Sequence, residues 1–241
     1  MTLSDVVWGI AGTGGIAGRF AQALGRVPGG HLRAVASRTR ARADEFASAH
    51  DVPCASGSLE ELLAEDALGH VTVVESALGF RAPFDATHRI YRPDLGGGVL
   101  LDMGVYPLQL AQLVLGPPTA VRATATLGPT GVDHDTVVEL TCGTATARLH
   151  SSLLTDLADL SRVEGERGVV ELLGPVYAPE ALSVNGVVTQ LPIGGDGMRF
   201  EIEEVHRCLA QGRQESSVMS WQDSLLLART VDAVKQQVGL S

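Results

Sequence analysis

The chain has 241 residues, 45% of them hydrophobic, and a formal net charge of −10. This length allows one large domain or two small ones, and the apolar fraction is sufficient for a packed core. The acidic balance argues against nucleic acid and anionic membranes as partners, and no uninterrupted apolar run reaches membrane-spanning length. Three well-separated cysteines without CxxC spacing, and no recognisable signal peptide, predict a cytoplasmic protein without a zinc site.

The first predicted element is a buried strand over Val6–Ala11, which is followed at once by a glycine-rich turn and a helix. The turn reads Gly12-x-Gly14-x-x-Ala17, the order that is typical of a dinucleotide site. Free N–H groups and a partial positive charge at the helix start would bind phosphates. The alternative is a glycine turn that binds nothing. The predicted phosphate-binding residues are Gly12, Thr13, Gly14, Gly15, Ile16 and Ala17.

The second predicted strand, Leu32–Ala36, bears on the choice of cofactor. NAD sites usually end this strand in Asp or Glu, which holds the ribose 2′-OH. Here Ser37 and Arg38 occupy that place, and a hydroxyl beside a guanidinium suits a 2′-phosphate. We therefore expect NADP rather than NAD. The alternative is a solvated, basic helix start.

The alternation of strands and helices ends soon afterwards. A helix over Ala41–His50 and a short strand over Val52–Ala55 are followed by one more helix, over Leu59–Glu65. A strand over Val71–Leu78 then begins a different pattern. We place the domain boundary here, with a partial dinucleotide-binding domain at residues 1–68 and a second domain at residues 69–241.

The second predicted domain combines a polar loop, a helix and a series of short strands. The loop covers Gly79–Leu95, and the helix covers Val99–Leu115 with Asp102 and Tyr106 on one face. Predicted strands follow at Val121–Leu127, Asp135–Thr141, Thr144–Ser151, Leu160–Glu164, Val169–Leu172, Leu182–Val184 and Val187–Leu191, and closing helices at Phe200–Gln211 and Trp221–Val238. The fold class predicted is α/β, a truncated Rossmann-like domain followed by an α+β domain with a largely antiparallel open sheet.

Two stretches resemble the Gfo/Idh/MocA oxidoreductases. One is the opening Trp8-Gly-Ile-Ala-Gly-Thr-Gly-Gly-Ile-Ala17. The other runs from Gly79-Phe-Arg-Ala-Pro-Phe through His88-Arg89 to Gly96-Gly-Gly-Val-Leu-Leu-Asp102-Met-Gly-Val-Tyr106. Within that family the chain is most similar to the branch of dimeric dihydrodiol dehydrogenases and NADP-dependent xylose dehydrogenases.

The resemblance implies NAD(P)-linked oxidation or reduction of a sugar, polyol or diol-like substrate, and homo-oligomers that pair through the open sheet. It implies that Tyr106 is the acid/base and that a lysine in a Glu-Lys-Pro motif supports it. Asp102 is expected to orient its neighbours, and loop residues such as Arg81, His88 and Arg89 are candidates for contact with the substrate.

Two departures from the family pattern support a second hypothesis. Nothing matches Glu-Lys-Pro, because the only lysine is Lys235 in the last predicted helix, and a segment the size of the second mononucleotide half is missing after residue 66. A cation near a tyrosine favours its ionised form and stabilises a developing alkoxide, so its loss would weaken catalysis. The alternative is therefore a non-catalytic homologue that binds nucleotide or sugar and self-associates through its sheet.

Overall fold

The computed structural model describes residues 6–11, 15–27, 30–37, 40–56, 68–191 and 198–240. The chain forms two compact units, Met1–His70 and Val71–Ser241.

The first unit is a strand–helix repeat built on a parallel sheet. Its elements are β1 (Val6–Ala11), α1 (Gly15–Leu24), β2 (Gly30–Ala36), α2 (Arg40–His50) and β3 (Cys54–Ser56). The sheet order is β1-β2-β3, and both pairings are parallel. Val35, Phe46 and Val52 lie in its core, where the two helices cover the sheet. The predicted helix over Leu59–Glu65 lies outside the described residues.

The second unit begins with a long strand and a set of tight helical turns. β4 (Val71–Gly79) leads through two 3₁₀ turns, Arg89–Tyr91 and Pro93–Leu95, to a π-helical turn at Leu100–Gly104 and then to α3 (Val105–Leu115). The sequence predicted one continuous helix from Val99, so the π turn is a correction. The N–H of its first residue bonds to a distant strand, as described below.

Seven further strands and two helices complete this unit. They are β5 (Ala120–Leu127), β6 (Asp133–Cys142), β7 (Ala145–Ser152), β8 (Leu160–Gly165), β9 (Gly168–Leu173), β10 (Ala181–Val184), β11 (Val187–Gln190), α4 (Met198–Ala210) and α5 (Trp221–Val238). The sheet order is β11-β10-β9-β8-β4-β7-β6-β5. Only the β4–β7 pairing is parallel, so the predicted fold class is confirmed.

One face of this sheet forms the core of the second unit. Along β6 and β7 buried residues such as Val138, Leu140 and Leu149 alternate with exposed ones, as expected for a sheet covered on one side. The helix α3 packs on β4 and β7, and α5 packs on the edge strand β5. Residues 93–115 are apolar enough on average to cross a membrane, but half of that stretch is buried inside the protein, as in a core helix.

The edge strand β5 is protected by a side chain from α5. Gln237 accepts a hydrogen bond of 2.9 Å from the backbone N–H of Ala123. An amide side chain thereby occupies a backbone group that an edge strand would otherwise offer to another chain.

Candidate functional site

A buried carboxylate holds the start of the helix that carries Tyr106. Asp133 is 1% exposed, and its Oδ2 accepts hydrogen bonds from the backbone N–H of Leu100 at 2.8 Å and from Thr136 Oγ1 at 2.6 Å. Gly98, with φ of 109°, lies directly against it, because a Cβ at this position would be 2.1 Å from Asp133 Oδ1. Leu100 N–H, which has no acceptor within its own helix, is thus capped by a side chain from β6. The sequence analysis did not single out Asp133. The only signal was the glycine run Gly96–Gly98, which lies against it in the structure although it is distant in the sequence.

The predicted orienting residue, Asp102, forms an ion pair with Arg89. The guanidinium Nη2 of Arg89 donates to Asp102 Oδ1, and the side chains are 59% and 19% exposed, respectively. The pair joins the π turn to the first 3₁₀ turn. Arg89 is therefore engaged with a carboxylate, so its predicted contact with substrate would have to coexist with this bond.

Tyr106, the predicted acid/base, lies in the first turn of α3 and is 39% exposed. Its ring lies against that of Tyr177, with centroids 5.2 Å apart and planes tilted by 49°. Tyr177 belongs to the connection between β9 and β10 and is 59% exposed. Two aromatic rings thus form an accessible surface beside the ordered turn. Sequence reasoning missed Tyr177, which is a single aromatic residue in a loop.

The loop that precedes the 3₁₀ turns is fixed by short-range polar contacts. The backbone N–H of Arg81 donates to Asp156 Oδ1 at 3.0 Å, whereas its guanidinium is exposed. Asp85 Oδ1 accepts from Thr87 N at 2.8 Å and Thr87 Oγ1 at 2.7 Å, and these bonds lower the pKa of Asp85. His88 Nδ1 accepts from Ile90 N at 3.4 Å. The loop therefore presents the exposed Arg81 and His88 from an ordered backbone, and contact with substrate remains a prediction for both.

His134 lies in an aromatic cluster under this loop. Its ring centroid is 5.0 Å from that of Tyr91 and 5.9 Å from that of Phe84, and the residue is 7% exposed. Burial lowers the pKa of His134, and the carboxylate of Asp133 opposes this shift. Among the described residues, no hydrogen-bond partner is found for its Nε2. The neutral imidazole is thus a packing residue, close to the site.

In the first unit a helix begins shortly after the first strand, the order of elements that the sequence predicted for a dinucleotide phosphate site. Only three residues separate the end of β1 at Ala11 from the start of α1 at Gly15, and the first turn of α1 carries no acidic residue. The helix N-terminus can therefore receive an anion without carboxylate repulsion. Ser37 directly follows β2. Gly12, Thr13, Gly14 and Arg38 lie outside the described residues, so their predicted contacts stay predictions.

Lysine and metal ligands are the other groups that could support proton transfer or bind a substrate oxygen. Lys235 lies in the last turn of α5, on the helix that covers the edge strand β5. Among the described residues, no group of three or more His, Cys, Asp or Glu side chains is placed to hold a metal ion. In the described part of the chain, the ordered turn and the helix after it carry a carboxylate, Asp102, and a phenol, Tyr106.

Comparison with known proteins finds similarity to one family of oxidoreductases. Residues 58–171 match the Gfo/Idh/MocA C-terminal domain. A trans-1,2-dihydrobenzene-1,2-diol dehydrogenase from Danio rerio is 35% identical over 199 residues, which cover 77% of this chain and 59% of the relative. Both findings agree with the predicted resemblance to the Gfo/Idh/MocA family. A D-xylose 1-dehydrogenase (NADP(+)) from Hypocrea jecorina is 28% identical over 76% of this chain and 56% of its own length, which confirms the predicted branch.

Coverage of these Gfo/Idh/MocA relatives is partial and uneven. The chain spans less than two thirds of the length of the zebrafish and fungal relatives. The human dihydrodiol dehydrogenase is 26% identical over 324 aligned positions, covering 97% of each chain. Since 97% of 241 residues is about 234, about 90 of those positions have no counterpart here. This agrees with the internal segment that the sequence predicted to be missing.

Solved structures show the same family fold. An aldose-aldose oxidoreductase from Caulobacter crescentus superimposes with a TM-score of 0.63 and 21% identity, covering 97% of this chain and 77% of its own. A 3-ketoreductase from Actinomadura kijaniata, solved with NADP, superimposes with a TM-score of 0.61 and 19% identity, covering 98% of each chain. At these identities the likeness establishes the Gfo/Idh/MocA fold and leaves the activity to be argued from the site.

Proposed function

We propose that this chain is an NADP-dependent oxidoreductase that transfers a hydride between nicotinamide and a sugar, polyol or diol-like substrate. The observation that carries the proposal is the presentation of Tyr106. Its helix start is held by the buried Asp133, and its ring is accessible beside Tyr177. The names of the family relatives, which include diol and xylose dehydrogenases, support the substrate class.

The residues of the first unit would hold the cofactor. Amide groups at the start of α1 would bind the pyrophosphate, and Ser37 with Arg38 would contact the 2′-phosphate. When bound, NADP supplies the hydride acceptor, and NADPH the donor. The first turn of α1, without carboxylates, fits a group that carries several negative charges.

Tyr106 would move the proton that hydride transfer requires. Oxidation of an alcohol releases a proton from the substrate oxygen, and reduction of a carbonyl adds one, so a hydroxyl at that oxygen serves both directions. The Tyr177 ring would cover one face of a ring-shaped substrate. Asp102 and Arg89 would hold the turn beside it, and the exposed Arg81 and His88 are candidates for bonds to substrate hydroxyls.

A second candidate is a non-catalytic homologue that retains nucleotide or sugar binding. It is favoured by the position of Lys235 in the last turn of α5, because no other lysine is present to support a tyrosine. Binding of NADPH without turnover would distinguish this candidate from the enzyme.

We also infer that the protein acts in the cytoplasm and forms a homodimer or higher homo-oligomer through the open face of the eight-stranded sheet. On that face exposed residues alternate with the buried residues of the other face along β6 and β7. A sheet covered on one side only leaves the other side available to a second sheet.

The test is a turnover assay with NADP and NADPH, in which the absorbance of reduced nicotinamide is followed with aldoses, polyols and cyclic diols. Oxidation or reduction of at least one substrate, faster with the NADP pair than with the NAD pair, is the expected result. Saturable NADPH binding with no turnover across the panel would support the non-catalytic candidate. Absence of both turnover and binding would contradict the two together.

A further inference from the structure

Six charged residues form one straight row across the open face of the second unit's sheet. Each of six adjacent strands contributes one of them, and the strand pairings place each directly opposite the next: Arg122, Glu139, Arg148, Glu75, Arg162 and Glu171. We call these residues the charge row. Directly paired residues point to the same face of a sheet, so all six side chains share one face. Their charges alternate in sign along the whole row.

The row faces away from the core. On β6 and β7 the flanking residues Val138, Leu140, Ala147 and Leu149 are buried, so the row occupies the opposite face. Its three members on β5, β6 and β7 are exposed, and the three on β4, β8 and β9 are half-buried. No neighbouring row of that face has the same density of charge.

Stability of the single chain does not account for the row. Arg148 Nη1 lies 3.5 Å from Glu75 Oε1, and Arg162 Nη1 lies 3.2 Å from Glu171 Oε1, with side chains 28–65% exposed. Exposed pairs of this kind contribute about 0–1 kcal/mol each. Lateral pairing between neighbouring strands therefore contributes little to the stability of the single chain.

The order of the charges is self-complementary under one particular symmetry. Read from β5 to β9 it is plus, minus, plus, minus, plus, minus, and reading it backwards inverts every sign. A two-fold axis that runs parallel to the strands, between β7 and β4, turns a second copy over and reverses its row. Arg148 then faces the partner's Glu75, and Glu139 faces the partner's Arg162. An axis parallel to the row would instead place like charges opposite each other.

Net charge also favours a second copy as the occupant of this face. Two chains that each carry a net charge of −10 repel each other, but the row contains three positive and three negative groups and is locally neutral. An anionic partner such as nucleic acid would need a net positive face, and a basic protein a net negative one. Neither matches a row in which the signs alternate from strand to strand.

We infer that the charge row sets the register and axis of a symmetric dimer in which two open sheet faces pack against each other. This inference rests on the proposed self-association and adds its geometry. Packed sheets lie about 10 Å apart and are rotated by about 30°. The two rows therefore diverge with distance from the axis. The pair nearest the axis, Arg148 and the partner's Glu75, contributes most to the choice of register and axis.

Charge reversals in the full chain, followed by analytical ultracentrifugation, test this inference. We expect Glu75→Arg alone and Arg148→Glu alone to weaken dimerisation at least tenfold. Mixing the two single variants should restore a heterodimer, because each opposing pair regains opposite signs, and the double variant should dimerise like the wild type. Arg229→Glu on the exposed face of α5 makes the same change in net charge as Arg148→Glu and should leave the dimer intact.

Salt dependence gives a second readout, provided that variants of equal net charge are compared. Rising salt should restore dimerisation of Arg148→Glu, in which like charges face each other, more than it changes that of Arg229→Glu, which carries the same net charge. A wild type that stays monomeric at all concentrations overturns the proposed self-association itself. A dimer that is insensitive to both single reversals, or equal salt dependence of Arg148→Glu and Arg229→Glu, overturns the charge row while self-association stands.

Discussion

Gly98 and Asp133 occupy adjoining space so closely that only glycine fits between the 3₁₀ turns and the π turn. A Cβ on Gly98 would lie 2.1 Å from Asp133 Oδ1, and its φ of 109° is unfavourable for any L residue with a side chain. Gly98→Ala should therefore lower the free energy of unfolding by about 3–5 kcal/mol, measured by urea denaturation.

The matched control for that substitution is Gly96→Ala, two residues earlier. Gly96 also has a positive φ, of 67°, but a Cβ there meets nothing within 4 Å. Gly96→Ala should therefore lower the free energy of unfolding only by the backbone strain, about 1–2 kcal/mol. Equal losses for both variants would show that Asp133 does not hold the turn.

Burial of His134 predicts a loss of stability on mild acidification. Its pKa is lowered in the folded chain, so the unfolded state binds a proton first as the pH falls below the ordinary value of 6.5. Between pH 6.5 and the lower pKa of the folded state, each decrease in pH favours unfolding. Stability to urea should fall between about pH 7.5 and pH 5.5, and the fall should be smaller in His134→Gln than in the wild type.

His206 provides the comparison, because it lies exposed on α4. His206→Gln should retain the pH dependence of the wild type. If His134→Gln and His206→Gln have the same pH dependence, burial of His134 is not its origin.

Glu204 predicts a second effect of pH, at lower values. A hydrogen bond from Ser216 at 2.6 Å, followed by contacts from Arg207 and Cys208, lowers the pKa of Glu204 to about 2. The carboxylate therefore contributes stability above its ordinary value of 4.5, and this contribution is lost as the pH falls towards 2. Thermal melts between about pH 5 and pH 3 should show a shallower loss in Glu204→Gln, whereas Glu201→Gln, exposed on the same helix, should follow the wild type.

Tyr106→Phe tests the proposed proton transfer. The substitution keeps the ring and its contact with Tyr177 but removes the hydroxyl, so kcat should fall by about 10²–10⁴-fold. Tyr177→Phe, which keeps both rings, should leave kcat within about threefold of the wild type. Comparable kcat values for Tyr106→Phe and the wild type would assign the proton to another group.

The strands were predictable because period-2 alternation is a local signal. The predicted strand over Val121–Leu127 and the helix over Trp221–Val238 agree with the structure to within one residue. The cap on Leu100 was not predictable, because its acceptor, Asp133, lies 33 residues away in the sequence. The same limit applied to Tyr177 and to the charge row, since pairing between Glu75 and Arg148 depends on a parallel register that no local pattern specifies.

The most direct test of the account is calorimetric titration of NADPH into the full chain, with NADH as the comparison. We predict saturable binding that is tighter for NADPH than for NADH, abolished by Gly14→Val and retained by Gly25→Ala, whose methyl would make only ordinary contacts. Absence of NADPH binding to the wild type, or equal binding by Gly14→Val, would contradict the account.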